Sequence, residues 1–223
     1  MKPQAIQRGF TLVEIAIVLV IIGLLLGGIL KGQEMITQAK IKNVIADMSG
    51  VSAAMYGYQD RYKALPGDDS KAGRWTTTGL AAGDGDGIIE GTYLAGAGAE
   101  SGQFWFHLRS AGFVSGTGAE NPFNAVSGKM GVQTGDGVVN TPGPVLATVG
   151  PPAIAGFSSL MLCSANLPDK IAISVDSQMD DGTATTGSVR AVRQTQPNPP
   201  AIAAAATGYT EDGVSTYVVC RQM

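Results

Sequence analysis

Arg8-Gly-Phe-Thr-Leu-Val-Glu-Ile-Ala-Ile-Val-Leu-Val-Ile-Ile-Gly-Leu-Leu-Leu-Gly-Gly-Ile-Leu30 decides how the rest of the chain is read. Two cations, Lys2 and Arg8, stand before it, and from Phe10 to Leu30 the only ionisable side chain is Glu14. An apolar run of about 20 residues is long enough to cross a hydrocarbon core roughly 30 Å thick as a helix. Basic residues ahead of such a run predict a cytoplasmic N-terminus and a translocated remainder. A carboxylate inside the run is costly and requires a partner or a purpose.

The segment Gly9-Phe-Thr-Leu-Val-Glu14, followed directly by the apolar run, resembles the class III leader of type IV pilins and the related pseudopilins. The resemblance implies that a prepilin peptidase cuts after Gly9 on the cytoplasmic side and that the new N-terminal residue, Phe10, is N-methylated. It implies that Glu14 pairs with the terminal amine of a neighbouring subunit during assembly. It further implies an inner-membrane assembly platform, and a filament made of copies of this chain and related pilins. Many pilins carry a helix-breaking proline late in the apolar half; this chain has Lys31 near that point, with Gly23, Gly27, Gly28 and Gly32 as sites of local softness.

A secretory signal peptide also has a basic head and an apolar core, but its core is shorter and ends at a small-residue cleavage site. Here the cut precedes the apolar run, so the run stays in the mature chain as a membrane or filament helix. For Glu14 the competing reading is a charge that snorkels to the headgroups. An α-amine at Phe10 gives it an opposite charge at the same depth, and in a low-dielectric packed core that pair fixes the axial register of one subunit against the next.

At 223 residues the chain has room for one anchoring helix and one globular domain, with a net charge of −3 that argues against a nucleic-acid footprint. Thirty-one glycines and only 15% charged residues suggest long ordered loops rather than a charged disordered tail. The two cysteines, Cys163 and Cys220, lie beyond the membrane segment. Translocation places them in an oxidising space where they can pair; two buried free thiols are the other reading. A bond between them closes a loop of about 58 residues, worth roughly 4 kcal/mol by chain entropy.

Beyond the apolar run, Met35, Ile36, Ala39, Ile41, Val44, Ile45, Met48, Val51, Met55, Tyr58 and Tyr62 recur mostly at spacings of three and four, the stripe of an amphipathic helix. One helix over residues 10–62 is roughly 80 Å long, ending before Pro66-Gly67. The expected segments are a leader (1–9), a transmembrane or filament-core helix (10–32), and the amphipathic half of the spine with a globular domain (33–223). Trp75 offers apolar area to that spine.

Gly83-Asp-Gly-Asp-Gly-Ile-Ile-Glu90 places Asp84, Asp86 and Glu90 among glycines, a pattern that wraps oxygen ligands around Ca²⁺. Aligned on the EF-hand loop through Gly87, Asp84 and Asp86 take ligand positions and Ile89 the apolar one. Ala82 and Tyr93 then occupy the first and last ligand positions, so the match is incomplete, and Asp68 or Asp69 could complete a site from the neighbouring turn. An acidic glycine turn without an ion is the equal alternative. No other cofactor is implied.

Farther along, residues 100–112 read as a helix stopped by Gly112, with Phe104 or Trp105, Leu108 and Ala111 on one face. Residues 118–156 are rich in glycine and proline, and Gly135-Asp-Gly-Val-Val-Asn140 echoes Gly85-Asp-Gly-Ile-Ile-Glu90. Residues 157–163, 188–193 and 215–220 read as strands, residues 168–181 as a short helix, and residues 194–206 as an exposed loop. The fold class is therefore α+β: a long N-terminal helical spine, membrane-spanning in its first half, packed on a small antiparallel β-sheet domain with long loops.

No catalytic set appears. His107 is the only histidine, no nucleophile elbow is present, and the ligand spacing of a catalytic zinc site is missing. A lone histidine among aromatics is packing. The sequence reads as a structural subunit of a type IV pilus, serving adhesion, motility or DNA uptake. A pseudopilin of a type II secretion system is the alternative, and a membrane-anchored periplasmic enzyme a remote one. The implied location is the inner membrane with the domain in the periplasm, in contact with lipid before assembly, and afterwards the pilus at the cell surface or a periplasmic pseudopilus.

Overall fold

The computed structural model describes residues 11–75, 83–148 and 153–223. Helix α1 spans Leu12–Tyr62, 51 residues without interruption. The chain separates into two compact units, Met1–Ala39 and Lys40–Met223.

Within the first unit, the stretch of α1 from Leu12 to Leu30 is apolar on every side but for Glu14, and its side chains are exposed, from Leu12 at 90% to Leu30 at 67%. It is long and apolar enough to cross a membrane, and none of its most apolar window is buried. No polar face exists there to meet water, which fits burial in lipid or among other helices.

In the second unit α1 turns one face inward. Ile41, Val44, Met48, Val51, Ala54, Met55 and Tyr58 are buried at the three-and-four spacing of the stripe. The helix ends at Tyr62, four residues before Pro66, because Lys63 takes a left-handed conformation (φ 55°).

A four-stranded sheet provides the rest of the frame: β1 (Met130–Thr134), β2 (Leu160–Pro168), β3 (Val189–Arg193) and β4 (Thr216–Gln222), in the order β1-β2-β4-β3. Every neighbouring pair is antiparallel, and Ser164 and Leu167 bracket an irregularity in β2 where Asn166 has φ 57°. Helices α2 (Glu100–Ser110) and α3 (Asp169–Met179) complete the unit.

Successive strand side chains point to opposite faces. Leu162, Leu167, Val189, Ala191, Tyr217 and Val219 join the α1 stripe with Phe104, Trp105, Leu108, Ile171 and Val175 in the main core. Met161, Cys163, Val192, Val218 and Cys220 point the other way, into a second core with Tyr93, Leu146, Phe157 and Ile202. Helices cover one face and loops the other, so the strands read as continuous apolar runs rather than alternating ones.

Both sheet edges are covered. On β1, the Thr134 amide donates to Ile89 O and the Gln133 side chain accepts from the Tyr93 amide; on β3, Ala191 exchanges bonds with Ala184 and Thr207. A covered edge offers no template for pairing with a stray strand.

Three expectations from sequence are corrected. Strand β1 lies inside residues 118–156, where no strand was expected. The strand read over residues 157–163 begins later, at Leu160, and runs to Pro168; Phe157 forms only an isolated bridge to Val145. Residues 201–206 are not a free loop, since Ile202 is buried and the carbonyls of Ala203 and Ala204 accept from Leu146 and Ala147.

Candidate functional site

The start of α1 is a reciprocal cap. The Thr11 hydroxyl accepts from the Glu14 amide at 3.3 Å, and Glu14 Oε2 accepts from both the Thr11 amide and the Thr11 hydroxyl at 2.8 Å. That is the capping box Thr-x-x-Glu, which satisfies helix donors that have no intrahelical partner. The signal was present in Thr11-Leu-Val-Glu14 and sequence reasoning passed over it, taking Glu14 for its charge alone. Gly9 and Phe10 lie outside the described residues.

The acidic loop is positioned by two carboxylates from elsewhere. Asp68, in the turn after α1, accepts from the Gly85 amide at 2.6 Å and the Gly87 amide at 2.8 Å. Glu100, at the start of α2, accepts from the Asp84 and Glu90 amides at 3.2 and 3.1 Å. Gly85 and Gly87 have φ of 84° and 90°, which glycine adopts freely. Ile89 is fully buried, anchoring the loop as the expected apolar position does.

Asp84, Asp86 and Glu90 each bring a carboxylate oxygen within 4.8 Å of the others, and so do Asp68, Asp84 and Glu100. Of the two candidates in the neighbouring turn, Asp68 reaches the loop. Asp69 instead accepts from the Tyr58 hydroxyl at 2.6 Å and pairs with Arg74 at 2.7 Å. Tyr93, the last position of the EF-hand alignment, is buried with its amide on Gln133, so the loop is not an EF-hand. Burial pushes the Glu100 carboxyl up to about 7, against the two amides that favour its charge, with Asp68 and Asp84 adding repulsion. Burial also raises Asp68, opposed by the Gly87 and Gly85 amides.

The echo between the two glycine-aspartate turns is a structural neighbourhood. Glu90 Oε1 accepts from the Asn140 amide at 2.9 Å, and the Gly91 amide donates to Gly137 O at 3.0 Å.

Beside the loop an aromatic knot fastens the chain to α1. Trp75 lies 5.8 Å from Tyr58 and 5.3 Å from Tyr62 between ring centroids, with the Arg74 guanidinium 4.7 Å above the Trp75 ring. His107 is 1% exposed, stacks on Tyr58, and its Nδ1 accepts from the Gly67 amide at 2.8 Å. The ring is therefore neutral with its proton on Nε2; burial lowers its pKa to about 4. It is a packing residue with one structural hydrogen bond.

Cys163 and Cys220 form a disulfide across directly opposed positions of β2 and β4, with 57 residues of separation and both side chains fully buried.

A family model, the prokaryotic N-terminal methylation motif, matches residues 5–30. The chain carries a prepilin leader. The match takes in Gly9, Phe10, Thr11, Glu14 and the apolar run that the exposed part of α1 forms, and it supports a pilin-like or pseudopilin-like precursor. The match does not extend to residues 31–223, whose α+β layout stands on the structure alone. No curated protein and no solved structure matches the chain.

Proposed function

We infer that the protein is a structural subunit of a type IV pilus. Prepilin peptidase removes residues 1–9 after Gly9 and Phe10 becomes the methylated N-terminus. Residues 10–32 anchor the chain in the inner membrane and later enter the filament core, and residues 33–223 display the domain. The observation that carries this reading is the prepilin leader joined to a helix that from Leu12 to Leu30 is exposed and, but for Glu14, apolar all round. Such a surface needs lipid or other helices around it. With one oxygen of Glu14 engaged by Thr11, the other remains to receive the α-amine of a neighbouring Phe10. The role is polymerisation and display rather than catalysis.

Electron microscopy of fibres sheared from the cell surface, with mass spectrometry for this chain, tests the pilus assignment. The chain is expected as a fibre component. Its absence from surface fibres, together with a secretion defect on deletion, moves the assignment to a pseudopilin of a type II secretion system.

The acidic loop supports a structural Ca²⁺ as a second element of the reading. Asp84 belongs to both carboxylate sets, and hard oxygens from Asp84, Asp86 and Glu90, with Asp68 adjoining, suit calcium rather than a softer metal. The ion would supply the positive charge that two closely spaced sets of carboxylates lack.

A further inference from the structure

Five Asp-Gly links occur in the chain: Asp84-Gly85, Asp86-Gly87, Asp136-Gly137, Asp181-Gly182 and Asp212-Gly213. Such links are chemically fragile near neutral pH because glycine has no Cβ to shield its nitrogen. The glycine nitrogen attacks Cγ of the preceding aspartate: a C–N bond forms, the nitrogen loses its proton, and a carboxyl oxygen leaves as water. The succinimide then takes up one water at either carbonyl. One product is aspartate and the other is isoaspartate, whose main chain is one methylene longer. Water is lost and regained, and no co-reactant is required. The step needs a nitrogen free to give up its hydrogen and a carboxyl free to turn Cγ towards it.

Neither group is free at any of the five links. Each aspartate holds the amide two residues on with its own Oδ1: Asp84 to Asp86 at 3.1 Å, Asp86 to Ile88 at 2.7 Å, Asp136 to Val138 at 3.0 Å, Asp181 to Thr183 at 2.8 Å, and Asp212 to Val214 at 2.9 Å. Each glycine amide is committed as well. Gly85 and Gly87 donate to the two oxygens of Asp68 at 2.6 and 2.8 Å, Gly137 to Thr134 O at 2.9 Å, Gly182 to Asp176 at 3.2 Å and Gly213 to Asp169 at 2.6 Å. All five glycines have φ between 71° and 90°. Four of the five amides therefore end on three carboxylates that are themselves 3% exposed or less, Asp68, Asp169 and Asp176. Burying a carboxylate is costly, and none of the three has a salt bridge among the described residues.

We propose that Asp68, Asp169 and Asp176 guard four of the five Asp-Gly turns, holding the glycine nitrogens away from succinimide formation so that the domain keeps its covalent backbone over a long life. The proposal stands apart from the assembly reading. A carboxylate in the same position could also draw the proton off the nitrogen and speed the attack, so the sign of the effect is decisive.

The test incubates the full chain in mild detergent, warm and at neutral pH, both folded and in concentrated guanidinium. Peptide mapping with electron-transfer fragmentation then locates isoaspartate. Folded wild-type protein is expected to isomerise at least about tenfold more slowly than the unfolded chain at every link, since reaction must wait for local opening. Asp68→Ala should speed Asp84 and Asp86 by about tenfold and leave Asp136, Asp181 and Asp212 unchanged, while Asp169→Ala should speed Asp212 alone. Equal rates in folded and unfolded wild type overturn the proposal. So do variants that keep their near-ultraviolet dichroism and isomerise no faster, or more slowly. A variant that unfolds will show all five links rising together, and the wild-type comparison and the other variant then decide.

Discussion

Replacing His107 by Phe should give a stability deficit that shrinks as the solution is acidified. At neutral pH the variant keeps the stacking on Tyr58 but strands the buried Gly67 amide, which donates to His107 Nδ1 at 2.8 Å. An unpaired buried donor costs about 1–3 kcal/mol. Acid acts in the opposite sense on the wild type. The folded-state pKa is lowered to about 4 from 6.5, so below 6.5 the unfolded chain binds a proton that the folded chain refuses. Stability from the neutral ring is present above pH 6.5 and is lost as the pH falls towards 4, by up to about 3 kcal/mol at about 1.4 kcal/mol per tenfold in proton affinity. Glu100, raised to about 7, and Asp176, raised to about 6, work the other way and lose stability as the pH rises through those values. Both are present in wild type and variant, so the difference between them isolates the histidine. Urea unfolding of both proteins, begun at residue 33 and measured from pH 7.5 to pH 4, should show the deficit near neutrality and its disappearance or reversal near pH 4. A deficit that is constant across that range refutes the buried neutral ring.

Calcium should raise the melting temperature of the same shortened protein relative to chelator, through binding confined to the folded state, and the combined Asp84→Ala and Asp86→Ala variant should lose the rise. Identical melting of the unmutated protein in both buffers reduces the loop to an acidic turn. Replacing Cys163 and Cys220 by Ala should cost about 2–5 kcal/mol in urea unfolding, as expected for a bond closing a long loop; a cost below about 1 kcal/mol would show that the paired strands β2 and β4 already supply the constraint. Gly131→Ala places a methyl group against the backbone carbonyl of Tyr93 and should destabilise by about 1–3 kcal/mol. Unchanged unfolding in that variant would mean that the Tyr93 segment does not lie on β1.

The long helix, α2, α3, and strands β3 and β4 were legible because their signals are local: the three-and-four stripe, the glycine stop at Gly112, and apolar runs between turns. Strand β1 was not. Its five residues, Met-Gly-Val-Gln-Thr, are buried on both faces and show no alternation. Gly131 is there because the Tyr93 carbonyl lies against it, and Gln133 because its Oε1 accepts from the Tyr93 amide. Those reasons come from a segment nearly 40 residues away. The acidic loop was legible as a carboxylate cluster, but its fastening by Glu100 was not, since nothing local to an α2 carboxylate reveals which amides it will meet. The chemistry of Glu14 was read from charge, while its capping partner Thr11 sat in plain view three residues earlier.

The central claim is that residues 1–9 are a leader and that Phe10 is the working N-terminus. The most direct measurement is the intact mass and N-terminal sequence of the chain recovered from membranes of cells with and without a prepilin peptidase. The account predicts a chain that begins with N-methylated Phe10 when the peptidase is present, an uncut chain beginning at Met1 when it is absent, and an uncut chain in both for Gly9→Val. A chain cut beyond residue 30, or left whole beside an active peptidase, contradicts it.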